Sequence, residues 1–326
     1  MSRSEGSSPF TTVSDVELND RERIARWLEQ SVFAPARVLL SDWRGIVGAL
    51  IVFAYILAGT VGVWLIPEPV QNQAPREAVW FQSMEYILGA DHMGRSLVSL
   101  IVHGTPTILK MILAGAVFTT VMATTVGMLS GYKGGRVDTI LSTVMDVFIT
   151  IPGLPLVIVL ATMFEPKNVY LIGILVTINT WAGLARSIRS QVLTIRGEYY
   201  VEVSRTMGVP IRTILKDDIL PNILPYVFIN FVLAGRRVIF SSVALYFLGI
   251  LPRVGSHWGV ILNTAYSNGA LYTSSLRYWI IVPVATIVVL SYGLFILSQA
   301  ADRLFNVRLR AKHESTSEET TGMPAD

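Results

Sequence analysis

Six long apolar stretches, separated by polar segments, dominate the chain. They cover approximately residues 45–66, 105–131, 137–163, 168–186, 223–249 and 279–299. Each is near or above the ~20 residues that an α-helix needs to cross ~30 Å of hydrocarbon. Because lipid offers the backbone no hydrogen-bond partners, we expect helices rather than strands. The pattern predicts an all-α membrane protein with about six transmembrane helices.

The third stretch contains Pro152 and Pro155, which predict a bend in that span rather than its loss. The segments outside the spans are an N-terminal segment 1–44, an external loop 67–104, a second long loop 187–222, a weaker external candidate 250–278 and a tail 300–326. The first apolar stretch begins too late for a cleavable signal peptide. Within segment 1–44, residues 20–30 have an amphipathic pattern, which favours a helix on the inner membrane surface over a partner-docking helix.

Basic residues are distributed unequally between the two sides of the membrane. Of the 26 Lys and Arg residues, 18 fall on the side of the N-terminus, five fall on the opposite side and three lie within spans. Because cytoplasmic segments are enriched in Lys and Arg, both termini and loop 187–222 are predicted to be cytoplasmic. The protein is therefore expected in the cell membrane as a multi-pass protein.

Composition agrees with a lipid environment. Hydrophobic residues make up 52% of the chain, charged residues only 15%, and the mean hydropathy is +0.53, whereas a soluble domain has roughly a quarter of its residues charged. There is no cysteine, which excludes a disulfide framework, a thiolate metal site and a cysteine nucleophile. The basic residues lie at the ends of apolar segments, so no nucleic-acid partner is expected.

Loop 187–222 has the pattern of two short helices. The first is predicted from Glu198 to Met207 and ends at Gly208, since glycine tolerates the left-handed conformation that follows a helix. Pro210 suits the first turn of the second helix, where Ile211 is expected to share an apolar face with residues 214 and 215. Pro221 is predicted to close this unit before the fifth span. A rigid element held between two spans can enter a groove on a soluble partner.

The same loop carries a recognisable motif. Its residues, in order, are Glu202, Val203, Ser204, Gly208, Leu220 and Pro221. Their spacing resembles the EAA loop of ABC importer permeases, with Val203 and Ser204 in place of two alanines. Asp218 also departs from the commonest pattern. These substitutions leave the register of the motif intact.

Further segments resemble the dipeptide/oligopeptide permease family of ABC importers, and the N-terminal region resembles its C-type subunit. They are LGADHMGRS at 88–96, GYKGGRVD at 131–138, YYVE at 199–202, LPNILP at 220–225, FLG at 247–249 and WG at 258–259. Asp146 and Pro152 continue the second of these patterns. The resemblance covers roughly residues 40–310.

The resemblance implies a type I permease-like bundle. Residues 105–299 would form a five-helix transport core, and the span at 45–66 would be peripheral. A homologous second permease subunit, two ATP-binding subunits and an extracytoplasmic solute-binding protein would be its partners in the lipid bilayer. The residues implied to couple it to the ATPase are Glu202, Ser204, Gly208, Ile211, Leu220 and Pro221. Members of the family carry dipeptides, oligopeptides, nickel chelates or sugars, and the sequence does not distinguish these.

No catalytic constellation is visible in the sequence. There is no Gly-rich phosphate loop followed by Lys and Ser or Thr. We therefore expect no cofactor in this chain, and ATP and Mg²⁺ on partner subunits. Two alternative functions predict features of their own: an ion-gradient-driven secondary transporter would show repeated halves, and a membrane-embedded enzyme would need an acid, base or nucleophile cluster. Neither feature is found.

Three charged residues within spans are candidates for the translocation path. Arg236 and Arg237 lie near the middle of the fifth span, where a charge costs ~2.5–3.5 kcal/mol on insertion scales. One hypothesis is that one of them lines the path and meets polar or anionic groups of the substrate. The alternative is that they pair with an acid on the second permease or extend to the membrane–water interface. Asp146 is the third candidate, although a structural hydrogen bond is the favoured interpretation.

Other polar residues are expected to have structural roles. Asp138 is predicted to cap the helix of the third span. Asp91 and Arg95 are predicted to form an ion pair on a helix surface, and no metal site is expected at Asp91 and the nearby histidines. Gly127 and Gly131 have the spacing of close helix packing, although a position at the membrane edge argues against it.

Overall fold

The computed structural model describes residues 42–84, 86–252 and 255–321, with side chains to residue 302. The helices in chain order are α1 (Trp43–Leu65), α2 (Leu97–Lys133), α3 (Gly135–Thr150), α4 (Gly153–Phe164), α5 (Val169–Leu175), α6 (Trp181–Ile195), α7 (Tyr199–Thr206), α8 (Ile211–Phe247), α9 (Trp258–Ser267) and α10 (Tyr278–Thr321). The expected amphipathic helix near residues 20–30 lies outside the described residues. Within the described part the fold is all-α, as predicted.

Helix α2 is the centre of the bundle and packs most extensively against α6, α8 and α5. Glycines bring these backbones into contact. A Cβ at Gly127 would lie 2.6 Å from the carbonyl oxygen of Ala185, and one at Gly131 would lie 2.9 Å from that of Arg189. Small residues permit this approach between membrane helices. The spacing of Gly127 and Gly131 is therefore a packing surface, although the position of Gly131 at the membrane edge argues against one in the sequence.

Four of the predicted spans are continuous helices long and apolar enough to cross a membrane, namely α1, α2, α8 and α10. The third predicted span is the pair α3 and α4, which meet at an angle of 87°. The bend lies between Thr150 and Gly153, so the prediction from Pro152 is confirmed. With this pair counted as one span, the described residues contain up to five spans.

The fourth predicted span, 168–186, is not one continuous helix. It is divided into α5 and α6 by turns at residues 176–180. There the N–H groups of Thr177 and Thr180 bond to carbonyl groups three residues earlier, and both hydroxyls also bond to nearby carbonyls. Threonine side chains that compete for backbone groups in this way interrupt a helix. Hydropathy alone does not record this break.

Three helix boundaries differ from the predicted spans. Helix α2 begins at Leu97 rather than near residue 105, with Pro106 inside it. Donors from side chains support the turn before this proline, since Thr105 Oγ1 and Trp258 Nε1 both bond to the carbonyl oxygen of Ile101. Helix α10 continues to Thr321 instead of ending near residue 299. The third difference is the start of α8, which lies at Ile211, within loop 187–222, rather than near residue 223.

Helix α1 lies at the edge of the bundle and packs against α10. A Cβ at Gly48 would lie 2.9 Å from the carbonyl oxygen of Gly293. Most of the remaining surface of α1 is exposed, and only 6% of its apolar membrane-spanning segment is buried within the chain. This helix is thus held mainly by α10, through a close glycine contact, and near Gly59 also by α2.

Substitution of Gly127 tests the contact between α2 and α6. We expect Gly127→Ala to lower the free energy of unfolding by about 1–3 kcal/mol, because the added methyl group must displace a carbonyl. The matched control is Gly183→Ala on α6, where a Cβ meets nothing within 4 Å. The control is expected to be neutral or slightly stabilising. Thermal unfolding in detergent measures both, and equal melting temperatures would contradict the contact.

Candidate coupling loop and charged residues of the spans

The loop between α6 and α8 presents α7 as a short helix with a defined end. Helix α7 spans Tyr199–Thr206, within one residue of the predicted bounds at each end. Gly208 follows with φ 74°. Its N–H bonds to the carbonyl of Arg205, and the N–H of Val209 bonds to that of Ser204, at 3.1 Å each. This is the Schellman arrangement, so Gly208 ends the helix as predicted.

Buried apolar side chains fix the loop to the bundle. Val201 on α7 and Ile214 on α8 are each 1% exposed. They pack in one cluster with Ile188 and Val192 of α6. The phenol oxygen of Tyr200 accepts a hydrogen bond from the side-chain amide of a residue on α8, Asn222. The loop therefore forms one packed unit with the ends of α6 and α8.

Helix α8 runs through Pro221, which corrects the prediction that this proline closes the loop. The segment Ile214–Ile219 adopts π-helical geometry, and the N–H of Leu220 bonds to the carbonyl of Leu215, five residues earlier. This wider turn shifts the hydrogen-bond pattern just before Pro221, which has no N–H to place. The chain therefore passes from the loop into the membrane as one helix.

The six predicted coupling residues are distributed over the loop and its junction with the membrane. Glu202, Gly208 and Pro221 are exposed, and Ser204 and Leu220 are half-buried. Ile211 was predicted to share an apolar face with residues 214 and 215. Those two are buried, but Ile211 is 44% exposed. Its side chain therefore lies on the outer surface of the loop rather than in the anchoring cluster.

The tip of the loop also exposes apolar residues that the sequence analysis did not single out. Tyr199 is 81% exposed and Met207 is 76% exposed. Tyr199 begins α7 and Met207 directly follows it, with the exposed carboxylate of Glu202 between them in the chain. Exposed apolar residues beside acidic groups at the end of a bundle are suited to contact another protein. In the sequence, the only indication of these two residues was their position at the ends of the predicted helix that contains Val201.

Asp138 forms an ion pair with Arg189 and does not cap α3. The helix begins at Gly135, and the residue before it, Gly134, has no side chain that could cap it. Asp138 therefore lies within the first turn of the helix. One carboxylate oxygen accepts a hydrogen bond from Arg189 Nε at 2.5 Å, and the other accepts one from Arg189 Nη2 at 2.6 Å. Ser130 of α2 donates to the same carboxylate. The group thus joins α2, α3 and α6, which sequence spacing did not reveal.

Asp146 forms a second ion pair between α3 and α6, with Arg186. Both side chains are 54% exposed. The contact gives Asp146 a partner within the chain, and about half of the pair remains on the surface of the single chain. A charge that faces lipid is costly, so this surface requires either water or another protein.

Arg236 and Arg237 differ in their surroundings. The guanidinium carbon of Arg236 lies 5.7 Å from the ring centroid of Phe240 and 5.1 Å from that of Phe295 on α10. Cation–π contacts of this kind stabilise by ~0.5–2 kcal/mol. Arg237 is exposed. Among the described residues, no carboxylate pairs with either arginine.

Asp91 and Arg95 form the predicted ion pair, at 2.6 Å, but not on a helix. They lie in a turn before α2, in which Asp91 is fully buried and accepts from the N–H groups of Met93 and Arg95. Gly94, at φ 69°, allows the turn to reverse. The hydroxyl of Tyr278 donates to the carbonyl of Ala90 and ties this turn to α10.

A cavity of about 430 Å³ lies between this turn and α9. His257 in its wall stacks on Tyr246 at 4.1 Å, and its Nδ1 accepts from the N–H of Gly259. Burial lowers the pKa of His257 to about 3, so the ring is neutral at physiological pH. His103 bonds to the carbonyl of Ile66. In the described parts of the chain, no group of three His, Asp or Glu side chains is placed to hold a metal.

Removal of the Asp138 charge tests the ion pair. Asp138→Asn leaves the guanidinium of Arg189 without its counter-ion, and we expect a loss of about 1.5–3 kcal/mol in the free energy of unfolding. Ser142→Ala removes only a neutral donor at 3.1 Å and should cost less. The double variant with Arg189→Met should lose less than the sum of the single losses. Additive losses in thermal unfolding would show that the two groups do not interact.

Comparison with known proteins agrees with this architecture. Residues 123–311 match the family model described as binding-protein-dependent transport system inner membrane component. The oligopeptide transport system permease protein OppC of Haemophilus influenzae is 31% identical over 224 residues, 68% of this chain and 72% of that protein. The dipeptide transport system permease protein DppC of Bacillus subtilis is 29% identical over 215 residues, 66% of this chain and 67% of that protein.

The matched region begins within α2 and includes the π-helical junction, the coupling loop and both ion pairs between α3 and α6. The chain belongs to the binding-protein-dependent transport system inner membrane component family and is a permease subunit of an ABC importer of the dipeptide/oligopeptide type.

Proposed function

We propose that this chain forms half of a translocation pore for peptides or a related small solute, and that its loop from Glu198 to Pro221 docks on an ATP-binding subunit. The observation that carries the docking proposal is the combination of an exposed tip and a buried base. Tyr199, Glu202 and Met207 are exposed, while Val201 beside them is buried. Such a surface binds a partner without losing its own attachment to the bundle.

Motion would pass from the partner to the membrane through two connections. Helix α8 is continuous from Ile211 in the loop to Phe247, so a displacement of the loop moves that span directly. Val201 also packs in the cluster that contains Val192 and Ile188 of α6. Closure of the ATPase would tilt α6 and α8 together and alternate access between the two sides. Each state must be stabilised by its own contacts for such coupling to work.

The remaining partners follow from the proposed mechanism. ATP and Mg²⁺ would bind two partner subunits, a homologous permease would complete the pore, and an extracytoplasmic binding protein would deliver the solute. OppC and DppC are named for oligopeptide and dipeptide transport, which supports a peptide or similar solute. Both termini would lie in the cytoplasm, supported by 18 Lys and Arg residues on that side against five on the other.

Two charged features face the proposed path. The pair Asp146–Arg186 is half exposed on the single chain, and Arg237 is exposed near the middle of α8. Charges avoid lipid, so we place both toward water in the pore or toward the second permease. Arg236 contacts the rings of Phe240 and Phe295 instead and is assigned a packing role. An ion-gradient-driven transporter is not favoured, since the relatives are permease subunits.

Substitution of Glu202 tests the docking surface. We expect Glu202→Ala to lower the fraction of permease that co-purifies with the ATP-binding subunits by about tenfold, as for removal of one partner of an interfacial charge contact. Glu68→Ala is the matched control, because Glu68 is also exposed but lies in the loop that precedes α2, at the other end of the bundle. Equal co-purification of all three proteins would contradict the proposal.

Gly208 provides a second pair of variants for the same experiment. Its position is open, with nothing within 4 Å of an added Cβ. Gly208→Ala introduces only backbone strain of about 1–2 kcal/mol, whereas Gly208→Trp also adds bulk at the tip. We expect docking to be retained largely by the first and lost by the second. Loss in both would indicate distortion of the turn rather than a blocked surface.

Substitution of the two arginines tests their different assignments. We expect Arg237→Met to reduce solute uptake about tenfold in proteoliposomes that contain the complete transporter, because a polar contact of the solute is lost. Arg236→Met should reduce thermal stability, through loss of its ring contacts, and affect uptake less. Unchanged uptake by both variants would remove these residues from the path. ATPase activity without solute serves as the control for assembly.

A further inference from the structure

A second cavity lies beside the base of the coupling loop. It has a volume of about 500 Å³ and is formed by the turn between α2 and α3 together with the turn between α7 and α8. Four basic side chains line it: Lys133, Arg136, Arg196 and Arg205. No Asp or Glu is among the described residues that line it. Four cations around one concavity repel one another, so an anion bound there would be stabilised.

The backbone is arranged to hold one of these cations in place. The Arg196 guanidinium donates to the carbonyl oxygens of Gly131, at 3.4 Å, and Tyr132, at 3.1 Å. Gly134 makes room for it, since a Cβ there would lie 3.1 Å from the Arg196 nitrogen. Gly134 also has φ 65°, which favours glycine. The half-buried Arg196 is therefore fixed in the wall, while Lys133 and Arg136 are exposed at the rim.

An apolar stripe leads away from the cavity along α3. Its members are Val137, Ile140, Val144 and Val147, which are 37%, 63%, 38% and 51% exposed. Their spacing of three and four residues places them on one face of the helix. Val137 itself lines the cavity. The site thus joins a cationic concavity at the end of the span to an exposed apolar track within it.

We propose that this cavity binds the phosphate of an anionic phospholipid whose acyl chains lie along α3. Basic pockets between membrane helices on the cytoplasmic side bind anionic headgroups, and the orientation proposed above places this cavity on that side. A free phosphate would use the cations but not the stripe. A bound lipid would join the α2–α3 turn to Arg205 on α7, and so would brace the coupling loop against the transport core.

The experiment compares lipid retained by the complete purified transporter. The test variant is Lys133→Gln with Arg136→Gln. The matched control is Arg76→Gln with Arg277→Gln, which removes the same charge from exposed positions outside the proposed docking loop that do not line the cavity. Each complex is placed in nanodiscs of phosphatidylcholine with a minor fraction of phosphatidylglycerol, then extracted in mild detergent. Bound phosphatidylglycerol is quantified by mass spectrometry.

We expect the wild type and the control to retain phosphatidylglycerol, and the test variant to bind it about thirtyfold more weakly, as for the loss of two cations near the headgroup. The charge-conserving variant Lys133→Arg with Arg136→Lys should retain the lipid, which separates loss of charge from misfolding. Excess inorganic phosphate should not displace the lipid. The readout is independent of transport, so a negative result leaves the proposed function unaffected.

Three results would overturn the proposal. Equal retention by the test and control variants would show that the cavity does not select the lipid. Displacement of the lipid by inorganic phosphate would identify a site for a free anion. Loss of the ATP-binding subunits from the test variant, with lipid retention unchanged, would assign the four cations to an acidic surface of that partner.

Discussion

The close packing of α2 against α6 is the contact on which the rest of the structure depends. At Gly127 and Gly131 the backbones approach until a Cβ would overlap a carbonyl oxygen of α6. Membrane helices gain little from apolar burial against one another, so van der Waals contact at small residues supplies much of their association. The Asp138–Arg189 ion pair adds α3 to the same junction. The position of α6 fixes the base of the coupling loop.

This junction holds the coupling loop rigidly, so that a displacement of the loop is transmitted to the spans. The Schellman turn at Gly208 ends α7, and the π-helical segment Ile214–Ile219 turns the chain into α8 without a break. A flexible linker at either point would absorb motion rather than transmit it. The buried residues Val201 and Ile214 prevent this by holding the loop on α6. Coupling therefore depends on packing beneath the loop as much as on the exposed residues at its tip.

The sequence predicted those features that are encoded locally. The bend near Pro152 and the end of α7 at Gly208 follow from backbone preferences of single residues, and both are observed. Features that depend on neighbouring helices were missed. Pro221 was expected to end the coupling loop, because composition does not predict the π-helical turn through which the helix continues. The break at residues 176–180 depends on hydroxyl groups that hydropathy does not register.

Charged residues show the same division between local and tertiary information. Asp138 has the position of a cap in the sequence, but Arg189 is 51 residues away and becomes its neighbour only through the packing of α3 on α6. Asp146 and Arg186 are joined by that same packing. The two pairs differ in burial: the first is enclosed by α2, while the second remains half exposed.

That difference indicates where the single chain is incomplete. A partly buried ion pair with further hydrogen bonds, like that of Asp138, is satisfied within one subunit. Asp146 of the half-exposed pair lies on the bent α3–α4 span and the exposed Arg237 lies on α8, and contact of such charges with lipid is unfavourable. Apolar residues of α3 such as Ile140 can face lipid at no cost. The surface that must meet water or a second permease is therefore marked by its charges.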